Sequence, residues 1–270
     1  MSTATAPAPY RTPRTVRTAL LVAGAAIAVL LVVGGAVNLL ELLTKHTSSE
    51  VRTYEGVSAL VIEDDSDIRI TSAPAGAPLE VRTRITESLV TPDRRAERGD
   101  DGSLRLSSSC SPGLIAGWCS VDYEIAVPAG TAIQADTSAG DITARDIRST
   151  VPTQLFSSAG DITVIGAVTP ALRLNTDAGD VRASGIRADE VELDSAAGDI
   201  DASLLGLADR LDVRTSAGDI GIVVPDAIYR VDTRTSAGDI DDQEIRTSPR
   251  AERSIRAVTS AGDIRIESRR

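Results

Sequence analysis

The sequence of 270 residues contains few of the side chains that build catalytic and metal-binding sites. It has one histidine, two cysteines and one methionine, and aromatic residues make up only 2% of it. A Ser/His/Asp triad could use only His46, and metal sites that need several His or Cys ligands are not available. These shortages exclude most enzyme classes. We therefore expect no catalytic residue, no metal site and no cofactor.

Basic residues are outnumbered by acidic ones, 28 to 39, which gives a net charge of −11. Three of the basic residues, Arg11, Arg14 and Arg17, precede the first acidic residue, Glu41. The rest of the chain therefore has 25 basic residues against 39 acidic ones, a charge of −14. Phosphate binding needs clusters of basic side chains. We expect neither nucleic acid nor anionic lipid headgroups as partners.

Charged residues are absent from a run of 23 residues, Thr18 to Leu40. At 1.5 Å per helical residue, this run is long enough to cross a hydrocarbon core about 30 Å thick. We predict a disordered cytoplasmic tail over 1–17, a single transmembrane helix over 18–43 and a linker over 44–54. The positive-inside rule places the N-terminus in the cytoplasm and the C-terminal domain outside the cell membrane. A cleaved signal peptide is the competing interpretation, although its apolar core usually has about 7 to 15 residues.

The two cysteines, Cys110 and Cys119, enclose eight residues. In an external, oxidising compartment such a pair most often forms a disulfide. The alternative is a reactive or metal-binding pair of thiols. We predict a disulfide that staples a loop.

A peptide close to Ser-Ala-Gly-Asp-Ile occurs seven times, at spacings of 20, 19, 19, 20, 20 and 24 residues. Its glycines and aspartates are Gly140 and Asp141, Gly160 and Asp161, Gly179 and Asp180, Gly198 and Asp199, Gly218 and Asp219, Gly238 and Asp239, and Gly262 and Asp263. A period near 20 without a helical pattern is typical of a β-solenoid, in which each repeat is one coil. We predict an all-β fold, a single-stack parallel β-solenoid or β-helix. Its coils are irregular over 55–135, which include the disulfide loop, and regular over 136–270.

The columns of the repeat follow the period of two that is expected of strands with one buried face. Two residues after each glycine stands Ile or Val, and three residues before it stands Thr or Ser. The first column is Ile142, Ile162, Val181, Ile200, Ile220, Ile240 and Ile264. We expect an aliphatic ladder inside the coils. We also expect the Thr and Ser hydroxyls to bond along the stack or to the turn backbone.

The Ala-Gly-Asp step is predicted to form the corner between two strands of one coil. Glycine permits a positive φ or a close approach of two backbones. The aspartates would stack about 4.8 Å apart, and they either cap N–H groups of the turns or are bridged by cations. The sequence lacks the GGxGxD nonapeptide of calcium-binding β-rolls. We favour capping, and a calcium-stiffened ladder is the alternative.

The last step of the repeat is four residues longer than the two before it. Insertions in solenoids bulge from one face, which is often the binding face. The added segment is rich in charge, which is also typical of a solvated loop. We predict a candidate interaction loop at Asp241, Asp242, Glu244, Arg246 and Arg250.

Seven ordered Ser-Ala-Gly-Asp-Ile copies behind an N-terminal apolar segment resemble the bacterial family named "putative adhesin". The resemblance covers roughly residues 55–267. It implies a β-solenoid domain, often behind a membrane anchor, and it carries over no catalytic residue.

Three classes of function follow from this resemblance and from the repeats. The first is a non-catalytic surface scaffold, adhesin-like, that contacts a cell-envelope component. The second is an accessory protein of an envelope-stress sensing or signalling system, whose partner is a membrane protein. The third is a polysaccharide-active enzyme, because parallel β-helices carry such sites. Six of the seven repeats leave no room for the long loops of a substrate cleft, so we favour the first class.

Overall fold

The computed structural model describes residues 23–25, 27–29, 31–32, 34–35, 45–88, 90–110 and 119–269. The chain divides into two compact units, Met1–Lys45 and His46–Arg270. In the first unit the described residues before 36 are helical. The predicted cytoplasmic tail and the rest of the predicted transmembrane helix lie outside the described residues. Among the residues that are described, no helix is long and apolar enough to cross a membrane.

The second unit consists of β-strands, 22 of them in the described residues. The first seven are β1 (His46–Tyr54), β2 (Ala59–Asp64), β3 (Ile68–Ser72), β4 (Leu79–Glu87), β5 (Asp93–Arg98), β6 (Ser103–Ser109) and β7 (Cys119–Val127). The next ten are β8 (Ala132–Thr137), β9 (Ile142–Arg145), β10 (Thr153–Ala159), β11 (Ile162–Ile165), β12 (Ala171–Ala178), β13 (Val181–Ile186), β14 (Glu190–Ala197), β15 (Ile200–Leu204), β16 (Arg210–Ala217) and β17 (Ile220–Pro225). The last five are β18 (Ile228–Arg234), β19 (Ile240–Asp241), β20 (Arg246–Thr247), β21 (Ser254–Val258) and β22 (Ile264–Arg269).

The strands form two sheets of 11 strands each. Sheet 1 has the order β1-β4-β7-β3-β9-β11-β13-β15-β17-β22-β19, and sheet 2 has the order β20-β18-β21-β16-β14-β12-β10-β8-β2-β6-β5. Each regular coil gives one strand to sheet 2, turns at the Ala-Gly-Asp corner, and gives the next strand to sheet 1. Neighbouring coils pair in parallel, for example β12 with β14 and β13 with β15. The predicted all-β fold with stacked parallel coils is confirmed.

The hydrophobic core fills the space between the two sheets. Alternate residues of each strand point inward, and the predicted aliphatic ladder of sheet 1 is at most 1% exposed from Ile142 to Ile220 and at Ile264. Ile240 is the exception, with 41% of its surface exposed, because β19 is the edge strand of sheet 1. Burial of one such aliphatic side chain contributes about 1.5 to 3 kcal/mol to folding, so the ladder is a main source of stability.

The last two coils stack in the reverse of their sequence order. The C-terminal strands β21 and β22 lie between β16–β17 and β18–β19. The coil of β18 and β19 is therefore the outer one, and only the two-residue strand β20 lies beyond it in sheet 2. After β19 the chain must therefore run around the outer coil of β18 and β19 before it enters the inner coil at β21. Residues 242–253 make this passage, and β20 pairs with β18 on the way. The longer spacing before Gly262 is therefore the length of a crossover, which the regular period alone did not predict.

The first coils are also out of sequence order, and they carry antiparallel strands. The strands β2 and β3 lie directly beside β8 and β9, while β6 and β7 pair on their outer side. The antiparallel strands β4 and β5 follow, and β1 ends sheet 1. The structure has the strand β1 over His46–Tyr54, where the sequence predicted a linker. Its residues are exposed or half-buried, so backbone pairing with β4 holds it and its sequence lacks an apolar face.

Candidate functional site at the repeat corners and outer faces

The Thr and Ser column bonds each coil to the corner of its neighbour. The Thr215 hydroxyl donates to the carbonyl oxygen of Gly198 over 3.0 Å. The other pairs are Thr137 with Ser66 (3.2 Å), Ser157 with Gly140 (3.1 Å), Thr176 with Gly160 (2.9 Å), Ser195 with Gly179 (3.0 Å), Thr259 with Gly218 (3.1 Å) and Thr235 with Gly262 (2.9 Å). The second of the two predicted roles, a bond to the turn backbone, is the one observed.

The aspartate column caps the same corners from the other side. The Asp219 N–H donates to Oδ1 of Asp199 over 2.8 Å. The same bond joins Asp141 to Asp67 (3.1 Å), Asp161 to Asp141 (2.9 Å), Asp180 to Asp161 (2.8 Å), Asp199 to Asp180 (2.9 Å), Asp263 to Asp219 (2.8 Å) and Asp239 to Asp263 (2.8 Å). Six of the seven repeat carboxylates, all but that of Asp239, therefore accept the N–H of a neighbouring coil in these bonds, and the capping interpretation is confirmed.

Cation binding at this column was the alternative interpretation of the sequence. One oxygen of each bonded aspartate already accepts a backbone N–H, and Arg182 lies against the second oxygens of Asp161 (3.4 Å) and Asp180 (2.7 Å). Within the described part of the chain, no group of three or more His, Cys, Asp or Glu side chains is placed to hold a metal ion.

The capping bond predicts a measurable loss when one carboxylate is removed. Asp199→Ala leaves the Asp219 N–H without its acceptor, and we expect the free energy of unfolding to fall by about 1 to 2 kcal/mol. Asp199→Asn keeps an oxygen at the same place and removes only the charge, so it should lose much less. Chemical denaturation of both variants checks this, and equal losses in both would show that charge rather than capping matters.

The predicted disulfide is present between Cys110 and Cys119, whose Cα atoms are 5.7 Å apart. Cys110 follows the end of β6, and Cys119 begins β7. The bond therefore closes the crossing from sheet 2 to sheet 1 in the outer of the two first coils. The eight residues between the cysteines lie outside the described residues.

The residues of the candidate interaction loop do not converge on one point. The backbone of Asp241 in β19 lies in register with Arg265 in β22. The Arg246 side chain forms an ion pair with Asp226 at 2.9 Å. The Asp242 carboxylate lies 3.4 Å from the hydroxyl of Thr233. Glu244 and Arg250 are exposed, and the Arg250 N–H bonds to the Ser248 hydroxyl at 3.3 Å. Interaction at this loop stays a prediction.

Asp64 is a buried acid that the sequence analysis did not single out. Its Oδ1 accepts bonds from the Asp65 N–H (2.6 Å), the Ser66 hydroxyl (3.2 Å) and the Ser108 hydroxyl (2.7 Å), while its buried Oδ2 has no partner. Burial raises the pKa of Asp64 to about 6. Desolvation likewise raises the pKa of the nearby Tyr123 to about 12.

The position of Asp64 explains why the repeat pattern missed it. Asp64 pairs with Thr137 and thus stands in the Thr and Ser column. The first corner reaches Ile68 four residues later, whereas the next corner takes five residues from Thr137 to Ile142. An alignment on the aspartate of the repeat therefore misplaces Asp64 by one residue.

The outer faces of both sheets carry ion pairs between neighbouring coils. On sheet 2, Arg173 contacts Glu192 at 2.8 Å, and Arg214 lies 3.7 Å from the same carboxylate and 3.5 Å from Asp194. On sheet 1, Arg182 makes the contacts given above. Such exposed pairs contribute about 0 to 1 kcal/mol each. They leave outer faces with alternating charge.

Three solved structures are distantly similar to this chain. A "putative adhesin" from Bacteroides fragilis is 14% identical with a TM-score of 0.48, and the match covers 82% of this chain and 97% of that one. A "putative cell adhesion protein" from Clostridium sporogenes is 11% identical with a TM-score of 0.39, covering 83% and 100%. A "putative adhesin" from Parabacteroides distasonis is 13% identical with a TM-score of 0.36, covering 82% and 97%. No curated protein matches the sequence.

A family model matches residues 57–269, nearly the span over which the sequence resembles the "putative adhesin" family. The matched segment contains both sheets except β1, and it includes all seven repeat corners. The chain belongs to the Toastrack DUF4097 family.

Proposed function

We propose that this chain is a non-catalytic surface module, adhesin-like, that is anchored in the cell membrane and binds a component of the cell envelope. The segment over 18–43 serves as the single-pass anchor, with the N-terminus in the cytoplasm and residues 44–270 outside. The module has no enzymatic activity. Its partner is a component of the cell envelope such as wall polymer, and nucleic acid is not among its partners; a membrane protein is the partner under the alternative function.

One observation supports the proposal: the repeated residues serve to hold the coils of the stack together. The repeated Gly, Asp and Thr groups bond to one another from coil to coil, which accounts for the most regular part of the sequence without any ligand. What remains for function is the pair of long outer faces. A rigid stack with two broad polar faces is suited to hold contacts with an extended partner.

The anchor is supported by the uncharged run of 23 residues and by the three arginines before it. The disulfide between Cys110 and Cys119 also favours an oxidising compartment outside the cytoplasm.

Crosslinking in intact cells tests the proposal. Full-length protein is crosslinked on the cell surface, and cell-wall and membrane fractions are then analysed separately. We expect recovery with wall polymer or with the surface of a neighbouring cell. The matched control lacks residues 46–270 and keeps the N-terminal segment, and it should not be recovered with the polymer.

The contrary result would be a discrete adduct with one membrane protein that depends on residues 46–270. That result would make the chain an accessory protein of a sensing or signalling system.

A further inference from the structure

A groove crosses the outer face of sheet 2 over β10, β12, β14 and β16. Its volume is about 460 Å³, which is within the range of sites for small molecules and short polymer segments. Because neighbouring strands lie about 4.8 Å apart, three steps extend the groove for about 14 Å along the stack. Ala171 contributes only a methyl group where its neighbour Glu190 carries a long side chain, and this difference helps to form the depression.

One row of polar side chains runs the length of the groove. Gln154, Arg173, Glu192 and Asp212 are paired in register from β10 to β16. Arginine only donates hydrogen bonds, the carboxylates only accept them, and the glutamine amide does both. Arg173 and Glu192 already bond each other at 2.8 Å, so a ligand uses the remaining positions of the row, and it must both donate and accept to do so.

The charges of the groove argue against a strongly ionic ligand. Two arginines, Arg173 and Arg210, and three acids, Glu190, Glu192 and Asp212, line it. Their sum is −1, and acids and bases are interleaved. Neutral hydroxyl groups, which both donate and accept, fit this lining better than a phosphate or a polycation.

Asp212 lacks a hydrogen-bond donor at one oxygen. Its side chain is only 4% exposed, and its Oδ2 contacts Arg214 and, at 3.3 Å, Arg210. Its buried Oδ1 has no partner within the described residues. Native proteins rarely leave a buried acceptor unpaired. The Arg210 side chain is 64% exposed, so its movement away from Asp212 can admit a ligand hydroxyl to this carboxylate.

Phe156, the single phenylalanine of the chain, does not line the groove but lies at its margin, on the outer face of β10 two residues after Gln154. It follows the buried Leu155 and is only partly buried itself, between Asp136 and Asn175 on the neighbouring strands. The core of this protein is otherwise built almost entirely from aliphatic side chains. A flat aromatic ring set among amide and carboxylate groups can stack on the C–H face of a sugar ring while those groups bond its hydroxyls.

From these observations we infer that the groove on sheet 2 binds a neutral linear polysaccharide, whose sugar rings follow the coils past Arg173 and Asp212 and reach Phe156 at the margin of the groove. The inference rests on the proposed function, since it gives the chemical class of the envelope component that the module binds. A peptide partner would need a free sheet edge for strand pairing, or apolar pockets for its side chains. The groove lies on interior strands of sheet 2, and charged side chains form much of its lining.

Calorimetric titration of the full-length protein in detergent micelles tests the inference. The probes are three neutral hexasaccharides: cellohexaose, maltohexaose and chitohexaose. We expect at least one to bind, and we expect Phe156→Ala and Arg173→Ala each to weaken its binding about tenfold or more, the equivalent of one stacking contact or charged hydrogen bond. Arg173 is 54% exposed, so its replacement should leave the fold intact.

Arg182→Ala is the matched control, because Arg182 is 48% exposed and also forms ion pairs between coils, but on sheet 1. It should bind the hexasaccharide like the parent protein. Failure of all three probes to bind, or an equal loss in Arg182→Ala, would overturn the inference.

The same variants separate this inference from the proposed function in the crosslinking experiment. If the parent protein is recovered with wall polymer and Phe156→Ala and Arg173→Ala are recovered equally well, the groove assignment is wrong and the proposed function stands. If the parent protein itself is recovered neither with wall polymer nor with the surface of a neighbouring cell, the proposed function is wrong.

Discussion

Alanine in place of Gly198 is expected to lower the free energy of unfolding by about 2 to 5 kcal/mol. The backbone of Gly198 has a φ of +151°, a conformation that side chains disfavour. A Cβ at this position would also lie closer than 3.0 Å to the carbonyl oxygen of Gly179 in the neighbouring coil. The two coils would have to separate, which would stretch the bonds that the Ser195 hydroxyl and the Asp199 N–H make to the neighbouring corner.

Gly76→Ala is the control for the backbone contribution alone. Gly76 also has a positive φ, +79°, but a Cβ there would meet no atom within 4 Å. We expect a loss of about 1 kcal/mol, from strain without a clash. Denaturant unfolding of both variants gives the comparison. Equal losses would mean that close stacking of the corners does not matter for stability.

Asparagine in place of Asp64 is expected to stabilise the protein at neutral pH. The pKa of Asp64 is raised from 3.8 to about 6, so the folded state holds a proton that the unfolded chain releases between these values. Stability therefore falls as pH rises from about 4 to about 6 and stays lower above that. At 1.36 kcal/mol per pKa unit, the loss is about 3 kcal/mol.

The asparagine amide oxygen can accept the same three bonds as Asp64 Oδ1, and it carries no charge. We expect Asp64→Asn to gain about 2 to 3 kcal/mol over the parent protein at pH 8 and to match it near pH 4. Glu63→Gln, an exposed acid on the same strand, is the control and should change stability by less than about 1 kcal/mol. A destabilised Asp64→Asn variant at pH 8 would contradict the burial of a charged Asp64.

The regular coils could be predicted from the sequence because each column serves one local purpose. Ile200 is buried, Thr215 bonds a carbonyl and Gly198 allows close approach, and each purpose restricts the residue type. The same columns do not predict the order in which the coils stack at the two ends of the solenoid. The two last repeats have nearly the same pattern, so either could stack on β17, and the choice depends on the path of residues 242–253.

The candidate binding groove was equally hidden in the sequence. Its side chains, such as Gln154, Glu192 and Asp212, belong to a column that is polar in every repeat, and exposure alone does not distinguish them. Only the register of four coils brings them into one row. The burial of Asp212 beneath neighbouring side chains is a property of the assembled face.

The corners of the coils and the outer faces of the sheets thus have different roles in this protein. Satisfied bonds at the corners make the stack regular and rigid, while the polar rows on the sheets differ from coil to coil. Regularity in the sequence therefore marks structure, and the proposed binding surface lies on the outer rows, where side chains such as Gln154, Arg173 and Glu192 differ from coil to coil.

The thermal midpoint of the full-length protein in chelator and in millimolar calcium tests most directly whether the aspartate column is a structural cap. Because each bonded carboxylate already accepts an N–H from the next coil, we predict the same midpoint under both conditions. A midpoint that rises by several degrees with calcium, and that no longer rises in Asp199→Asn, would show that the column is a cation site and would contradict this assignment.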